Sequence, residues 1–230
     1  MRKTQDRRSD ILAALYRCMA SKGYAASTLS DIAAEADMSS SHLLYYYPGK
    51  EAIVADYFDT VCERFKREVT GLPPDPEQKL DAFADLFLGP RRSDRTERTV
   101  MLDLFGQTVQ NRTMRRAKAA HDRFIRAELE KVFKQTPRTP GSSAHDAAQT
   151  AYAMLMGLRT NSFYDTSLTA VQTHRLFRQT LFQLAGIKVP KARKRRGNTE
   201  INHGRSAPRP GNRSTRGTRS AARVAGRTHA

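Results

Sequence analysis

The sequence predicts an all-α protein, and three observations carry that prediction. Apolar residues recur at helical spacing nearly throughout the first 187 residues, no stretch alternates with period two for long enough to build a sheet, and caps and breakers divide this body into nine segments of helical length. No internal repeat of fixed period is present, which sets aside a solenoid.

Each element has a local reason. A first helix is expected over residues 8–22, with Ile11, Leu12, Leu15 and Met19 on one face and Gly23 as its stop. Thr28-Leu29-Ser30-Asp31 has capping-box spacing, with Asp in place of the usual Glu or Gln, and opens a short second helix ending near Asp37. Ser39 offers an N-cap for a third helix over 40–46. Pro48-Gly49 then breaks the chain before a long fourth helix over 50–70, where Ile53, Tyr57, Val61 and Phe65 recur every four residues. Pro73-Pro74-Asp75-Pro76 marks the next boundary. Further helices are expected over 76–88, 96–109, 112–135, 144–165 and 169–185, parted by Gly89-Pro90, Asn111, the Pro- and Gly-containing run 136–143, and Asp165-Thr166-Ser167.

Charge divides the chain differently. The 230 residues carry 40 Lys+Arg against 23 Asp+Glu, a net charge of +17. Residues 188–230 hold 13 of the basic residues and one acid, Glu200, so this stretch carries +12 and leaves +5 for the rest. It has no Leu, Phe, Tyr or Met and is built of Arg, Gly, Ser, Thr, Pro and Asn. Such a composition buries too little apolar surface to offset the entropy of ordering it, so a disordered basic tail is expected. The excess of positive charge suggests a polyanionic partner, either nucleic acid or an anionic membrane surface; the tail in particular could wrap double-stranded DNA without sequence preference, or could serve only solubility.

Several classes are set aside on composition. No run of 18 apolar residues occurs, so no membrane span is expected. The N-terminus runs into an amphipathic segment without an apolar h-region, which points to a soluble, cytoplasmic protein. Cys18 and Cys62 lack zinc-ligand spacing, and neither a metal nor a cofactor is expected. There is no glycine-rich phosphate loop, HExxH or GxSxG, and the His–acid neighbours His121-Asp122 and His145-Asp146 diverge on a helix. An enzyme is therefore not expected.

The informative stretch lies between Ala25 and Ile53. Two short helices separated by Ala36-Asp37-Met38-Ser39 have helix-turn-helix geometry. A helix that enters a major groove must be narrow and polar on its outer face, and Ser39, Ser40, Ser41 and His42 supply such a face. Leu43, Leu44 and Tyr47 are expected to hold it against the first two helices. Tyr45 and Tyr46 bring hydroxyls toward the sugar-phosphate backbone, and Lys50 stands where the fourth helix begins. The competing reading is a helical hairpin with a serine-rich cap.

The residues that decide between these readings are Ile11, Ala14, Gly23, Tyr24, Thr28, Ile32, Ala33, Ala36, Ser39, Leu43, Tyr46, Tyr47, Lys50, Glu51 and Ile53. As a set they resemble the N-terminal domain of the TetR-type family of bacterial transcriptional regulators. The resemblance covers residues 8–54 and implies a three-helix DNA-binding domain on a larger helical ligand-binding and dimerisation domain. It places Ser40, Ser41 and His42 at base-reading positions, and Thr28, Tyr46 and Lys50 at phosphate-contact positions. Two departures stand out. Asp37 replaces the usual Gly of the turn, and Asp tolerates the left-handed conformation better than most residues. Leu44 stands where a phosphate-contacting Tyr is common.

Three divisions follow: a DNA-binding domain over 1–50, an effector-binding and dimerisation domain over 51–187, and the tail over 188–230. The resemblance implies that the last two helices of the body form a four-helix bundle with a second copy. Ala144, Ala148, Ala151, Leu155 and Leu158 form one stripe at helical spacing, and Phe177, Leu181 and Leu184 another. Either stripe would serve equally in the chain's own core. An effector pocket for an unknown small molecule is expected among the middle helices, with Phe105, Met114, His121, Phe124, Tyr152, Met156, Arg159 and Tyr164 as candidate lining residues. The leading expectation is a dimeric repressor released from a palindromic operator by that effector. The alternative is an architectural, nucleoid-coating DNA binder driven mainly by the tail.

Overall fold

Capping chemistry sets the helix boundaries. A computed structural model describes residues 2–89, 95–165 and 167–190. These residues form nine helices: α1 (Arg2–Ala26), α2 (Leu29–Glu35), α3 (Ser40–Tyr46), α4 (Lys50–Thr70), α5 (Pro76–Leu88), α6 (Arg95–Gln110), α7 (Arg112–Phe133), α8 (Ala144–Tyr164) and α9 (Ala170–Leu184). Thr28 and Asp31 make both arms of the expected capping box, and Thr169 and Gln172 make a second one. Side chains of Ser39, Asp75, Asn111 and Ser143 likewise accept from backbone amides at the starts of α3, α5, α7 and α8. Helix α1 begins six residues earlier than expected, and Gly23 interrupts it with φ 77 and ψ 167, a backbone region open essentially to glycine alone. Among the described residues no helix is long and apolar enough to cross a membrane. The expected disorder of 188–230 falls almost wholly on 191–230, outside the described residues.

Two apolar cores organise the helices. The first gathers Ile11, Leu15 and Met19 of α1, Ile32 of α2, Leu43 of α3 and Ile53, Phe58 and Cys62 of α4, together with Val100 and Leu104 of α6 and Met114 of α7. The second gathers Val69 at the end of α4 with Leu80 and Phe83 of α5, Leu129 and Phe133 of α7, Leu155 of α8 and Phe177 and Leu181 of α9. Helix α4 runs through both. The three N-terminal helices are therefore packed onto α4 and α6, and no gap in the packing falls at residue 50.

The small-residue stripe expected to meet a second copy lies inside the chain. Ala144, Ala148, Ala151, Leu155 and Leu158 are buried in the second core, as are Phe177 and Leu181, with Leu184 packed against it. These faces are consumed within one molecule, because α7 crosses α8 and α5 crosses α9 on that side. The opposite face of α8 is open: Thr150, Ala153, Gly157, Thr160 and Tyr164 are exposed.

Candidate nucleic-acid interface and ligand cleft

The turn between α2 and α3 is built on a left-handed residue. Asp37 has φ 52, the conformation its short polar side chain tolerates. Met38 then donates its amide to the Ala33 carbonyl at 3.0 Å, closing the turn. Helix α3 follows with its inner face anchored by Leu43 and Tyr47, which are buried. The Tyr47 hydroxyl also donates to Asp56 on α4.

The outer face of α3 is polar and exposed. Ser41 and His42 are exposed, and Ser40 is partly covered because its hydroxyl lies 3.3 Å from that of Ser30 on α2. Ser39 caps the helix through the His42 amide and also meets the Ser41 hydroxyl at 3.0 Å. The His42 ring leans on Tyr46 at 5.4 Å between centroids, and Tyr45 meets Tyr46 edge-on at 5.3 Å. Leu44 does not brace the helix as expected: it is 47% exposed, since its position on α3 points away from α1 and α2. Tyr45, at 82% exposed, is the largest side chain on this face and joins Ser41 and His42 by helical spacing. The spacing of Tyr45 four residues after Ser41 already places the two on one face of the helix.

Thr28 and Lys50 have structural partners of their own. Thr28 forms the cap of α2 with Asp31, whose carboxylate is held by Lys22 at 2.6 Å. The Lys22 and Thr28 hydrogen bonds keep the Asp31 carboxyl well below the usual range. Lys50 donates to the carbonyls of Tyr24 at 3.0 Å and Ser27 at 2.8 Å, and its ammonium lies 4.1 Å from the centre of the Tyr24 ring. Two of its three N–H donors are thereby spent on joining α4 to the end of α1, which leaves one for a phosphate.

The candidate effector residues separate into distinct places. Phe105, Met156 and Arg159 share a cleft with Met101, Leu102 and Thr160, between α6 and α8, with a cavity volume of about 40 Å³. Met114 instead lies in the first core and borders a second, more polar cleft with Tyr24, Glu51, Gln107 and Asn111. Phe124 packs against the second core. Tyr164 is 73% exposed on the outer side of α8 and does not line the cleft. Tyr152 is buried beneath Arg126, at 5.4 Å from its ring, and receives a 3.4 Å hydrogen bond from Lys118. Burial, reinforced by Asp122, raises the Tyr152 pKa, so the phenol stays neutral. The His121 ring meets Phe65 at 6.1 Å, and its buried Nδ1 has no hydrogen-bond partner among the described residues. Burial pushes the His121 pKa down to about 4 against the opposing pull of Asp122.

Helix α6 links this cleft to the N-terminal helices. Met101, Leu102 and Phe105 face the cleft, whereas Asp103 turns toward α1 and accepts the Tyr24 amide at 3.0 Å. The contact falls one residue after the Gly23 break in α1.

A short, exposed, polar α3 set behind a left-handed turn and braced from one side defines a helix-turn-helix DNA-binding protein. The family model described as bacterial regulatory proteins, tetR family, matches residues 11–57, and that for the C-terminal part of BetI-type transcriptional repressors matches 76–186. The chain belongs to the TetR family of bacterial transcriptional regulators. A curated relative, the HTH-type transcriptional regulator EthR of Mycolicibacterium smegmatis, is 29% identical over 86 residues, covering 36% of this chain. The match spans 40% of that relative's length. Among solved structures, a TetR transcription regulator from Haloarcula marismortui superposes with a TM-score of 0.70 at 23% identity, over 79% of this chain and 97% of that one. A transcriptional regulator from Saccharomonospora viridis, solved in complex with choline, has a TM-score of 0.65 at 22% identity, over 76% and 95% of the two chains. These likenesses extend the shared fold across both cores.

Proposed function

We propose that this DNA-binding regulator is a dimeric repressor, acting in the cytoplasm, that a small-molecule effector releases from a palindromic operator. The single observation that carries the effector part is the two-sided placement of α6. One face of that helix lines the cleft, and Asp103 on another face holds the amide at the Gly23–Tyr24 break. A ligand that spreads α6 from α8 therefore acts on the segment that leads into α2 and α3. Release requires that the ligand bind more tightly to the arrangement in which the two α3 helices cannot span both half-sites.

On the DNA side, Ser40, Ser41 and His42, joined by Tyr45, face the base edges, and Thr28, Tyr46 and the free donor of Lys50 meet phosphates. Residues 1–50 carry this task and 51–187 carry the effector and the second copy. The dimer uses the open faces of α8 and α9, where Ala153, Gly157 and Val171 are exposed, in place of the consumed stripes. Two α3 helices about 34–36 Å apart would then read successive turns of one DNA face. Choline, found in the Saccharomonospora regulator, suits this cleft poorly, because its cation would meet Arg159.

Selection of bound fragments from genomic DNA tests the reading. A palindromic consensus that survives excess nonspecific DNA at physiological salt supports it. Binding that is stripped by the competitor, with no consensus, points to a coating protein and overturns it.

A further inference from the structure

Arg159 is the feature that the fold leaves without a role. It stands on α8 at the edge of a cleft whose other walls are Met101, Leu102, Phe105 and Met156, with Thr160 as the one neutral polar group. Its guanidinium carbon lies 5.9 Å from the centre of the Phe105 ring. Among the described residues no side chain accepts a hydrogen bond from it and no carboxylate pairs with it. Neighbouring cations are matched: Lys118 sits 2.7 Å from Asp122, and Arg64 sits 3.2 Å from Glu97. Burial depresses the Arg159 pKa, with Tyr152 and Glu97 opposing it only in part.

Arg159 is partly buried, and its planar donors, without an acceptor from the protein, are left to water, which an oxyanion entering the cleft replaces with charge-assisted hydrogen bonds. A guanidinium matches a carboxylate with two parallel hydrogen bonds. The remaining wall is aromatic and thioether surface, which favours an apolar body. The cleft as it stands is narrow, about 40 Å³ against the roughly 300–1,000 Å³ usual for small-molecule clefts, so its occupant is small and enters by spreading α6 from α8.

We propose that the cleft between α6 and α8 takes a small carboxylate with an apolar body, its oxygens held by Arg159 and its body lying against Phe105, Met101 and Met156. This inference rests on the reading of the cleft as the effector site. An aryl acid and a short alkyl acid share the required chemistry, and both are probes in the test.

Benzoate and hexanoate are titrated into the full-length protein by calorimetry and thermal shift, beside benzamide, hexanamide and choline. The acids are expected to bind about tenfold or more tightly than their amides, the ratio for one lost charge-assisted hydrogen bond. Arg159→Gln is expected to abolish that preference, and Arg159→Lys to keep part of it through a single contact. The acid-against-amide comparison on the unaltered protein stands even if a variant fails to fold. Equal affinity for acids and amides, binding of choline with neither acid, no binding of either acid, or undiminished acid binding by Arg159→Gln overturns the inference. Operator release is measured on the same samples. Acids that need Arg159 but leave the operator bound support the ligand class and sink the effector reading; release by choline alone does the reverse.

Discussion

The Tyr24 amide donates to Asp103 Oδ2 at 3.0 Å, joining the end of α1 to the middle of α6 across 79 residues of chain. A Cβ built on Gly23 would lie 3.3 Å from the same carboxylate oxygen. The positive φ favours glycine there, and the close approach of Asp103 leaves little room for a larger side chain.

Replacement at either end of this contact should uncouple the cleft from DNA. Asp103→Ala removes a hydrogen bond to a charged acceptor and should cost about 1.5–3 kcal/mol. Gly23→Ala should cost about 1–3 kcal/mol through backbone strain. Denaturant titration gives these values, and operator titration with and without effector should show that Asp103→Ala responds less to ligand than the parent. An unchanged ligand response would detach α6 from the mechanism.

The exposed face of α3 should separate base reading from anchoring. His42→Ala is expected to relax base preference, costing about 1–3 kcal/mol on the best site and little elsewhere. Lys50→Ala should weaken all sequences alike. It should also lower stability, because the Tyr24 and Ser27 carbonyls lose their donor. A fragment-selection profile unaltered by His42→Ala would remove that residue from the groove.

Acid should destabilise the protein through His121. Its folded pKa, about 4, lies below the ordinary 6.5, so its neutral form is the one the fold accommodates. The stability tied to that form is present above pH 6.5 and is lost as pH falls from 6.5 toward 4. Between pH 7 and 5 the loss is about 2 kcal/mol. His121→Leu has no such proton to bind, so chemical denaturation at the two pH values should show a smaller drop for the variant. Parallel drops would place the acid sensitivity elsewhere.

Gly157 sits within α8, and a Cβ there would meet nothing within 4 Å. An exposed mid-helix glycine costs about 0.8–1.0 kcal/mol relative to alanine. Close approach of a second helix gives it a use. Gly157→Arg should leave the single chain folded and shift its mass in solution from dimer to monomer, read by light scattering after gel filtration. A variant that stays dimeric would move the interface off this face.

The basic tail should add affinity without sequence preference. Operator binding measured against salt, for the full chain and for residues 1–187, should be steeper for the full chain. A difference of about 3 in the slope of log K against log salt corresponds to three or four phosphate contacts at about 0.9 each. Equal slopes would leave the +12 of residues 188–230 without a part in DNA binding.

Much of the fold was legible because helix ends are local events. Thr28 finds Asp31, Ser39 finds the His42 amide and Thr169 finds Gln172 within one turn, so spacing alone reveals them. The recognition helix was legible for the same reason, its polar outer face being a property of seven consecutive residues. The cleft between α6 and α8 was not: of its six lining residues, Met101, Leu102 and Thr160 carry no signal that separates them from ordinary helix surface or core.

Sequence by itself determined the helices, the left-handed turn at Asp37 and the division of charge between body and tail. Tertiary structure alone decided which face of each helix is spent inside the molecule. An apolar stripe on α8 reads the same whether its partner is α7 or a second copy, and Lys50 reads the same facing a phosphate or two carbonyls. Pattern within one helix records that a surface must be covered or a charge satisfied; the partner comes from residues far along the chain, brought near only when the helices cross.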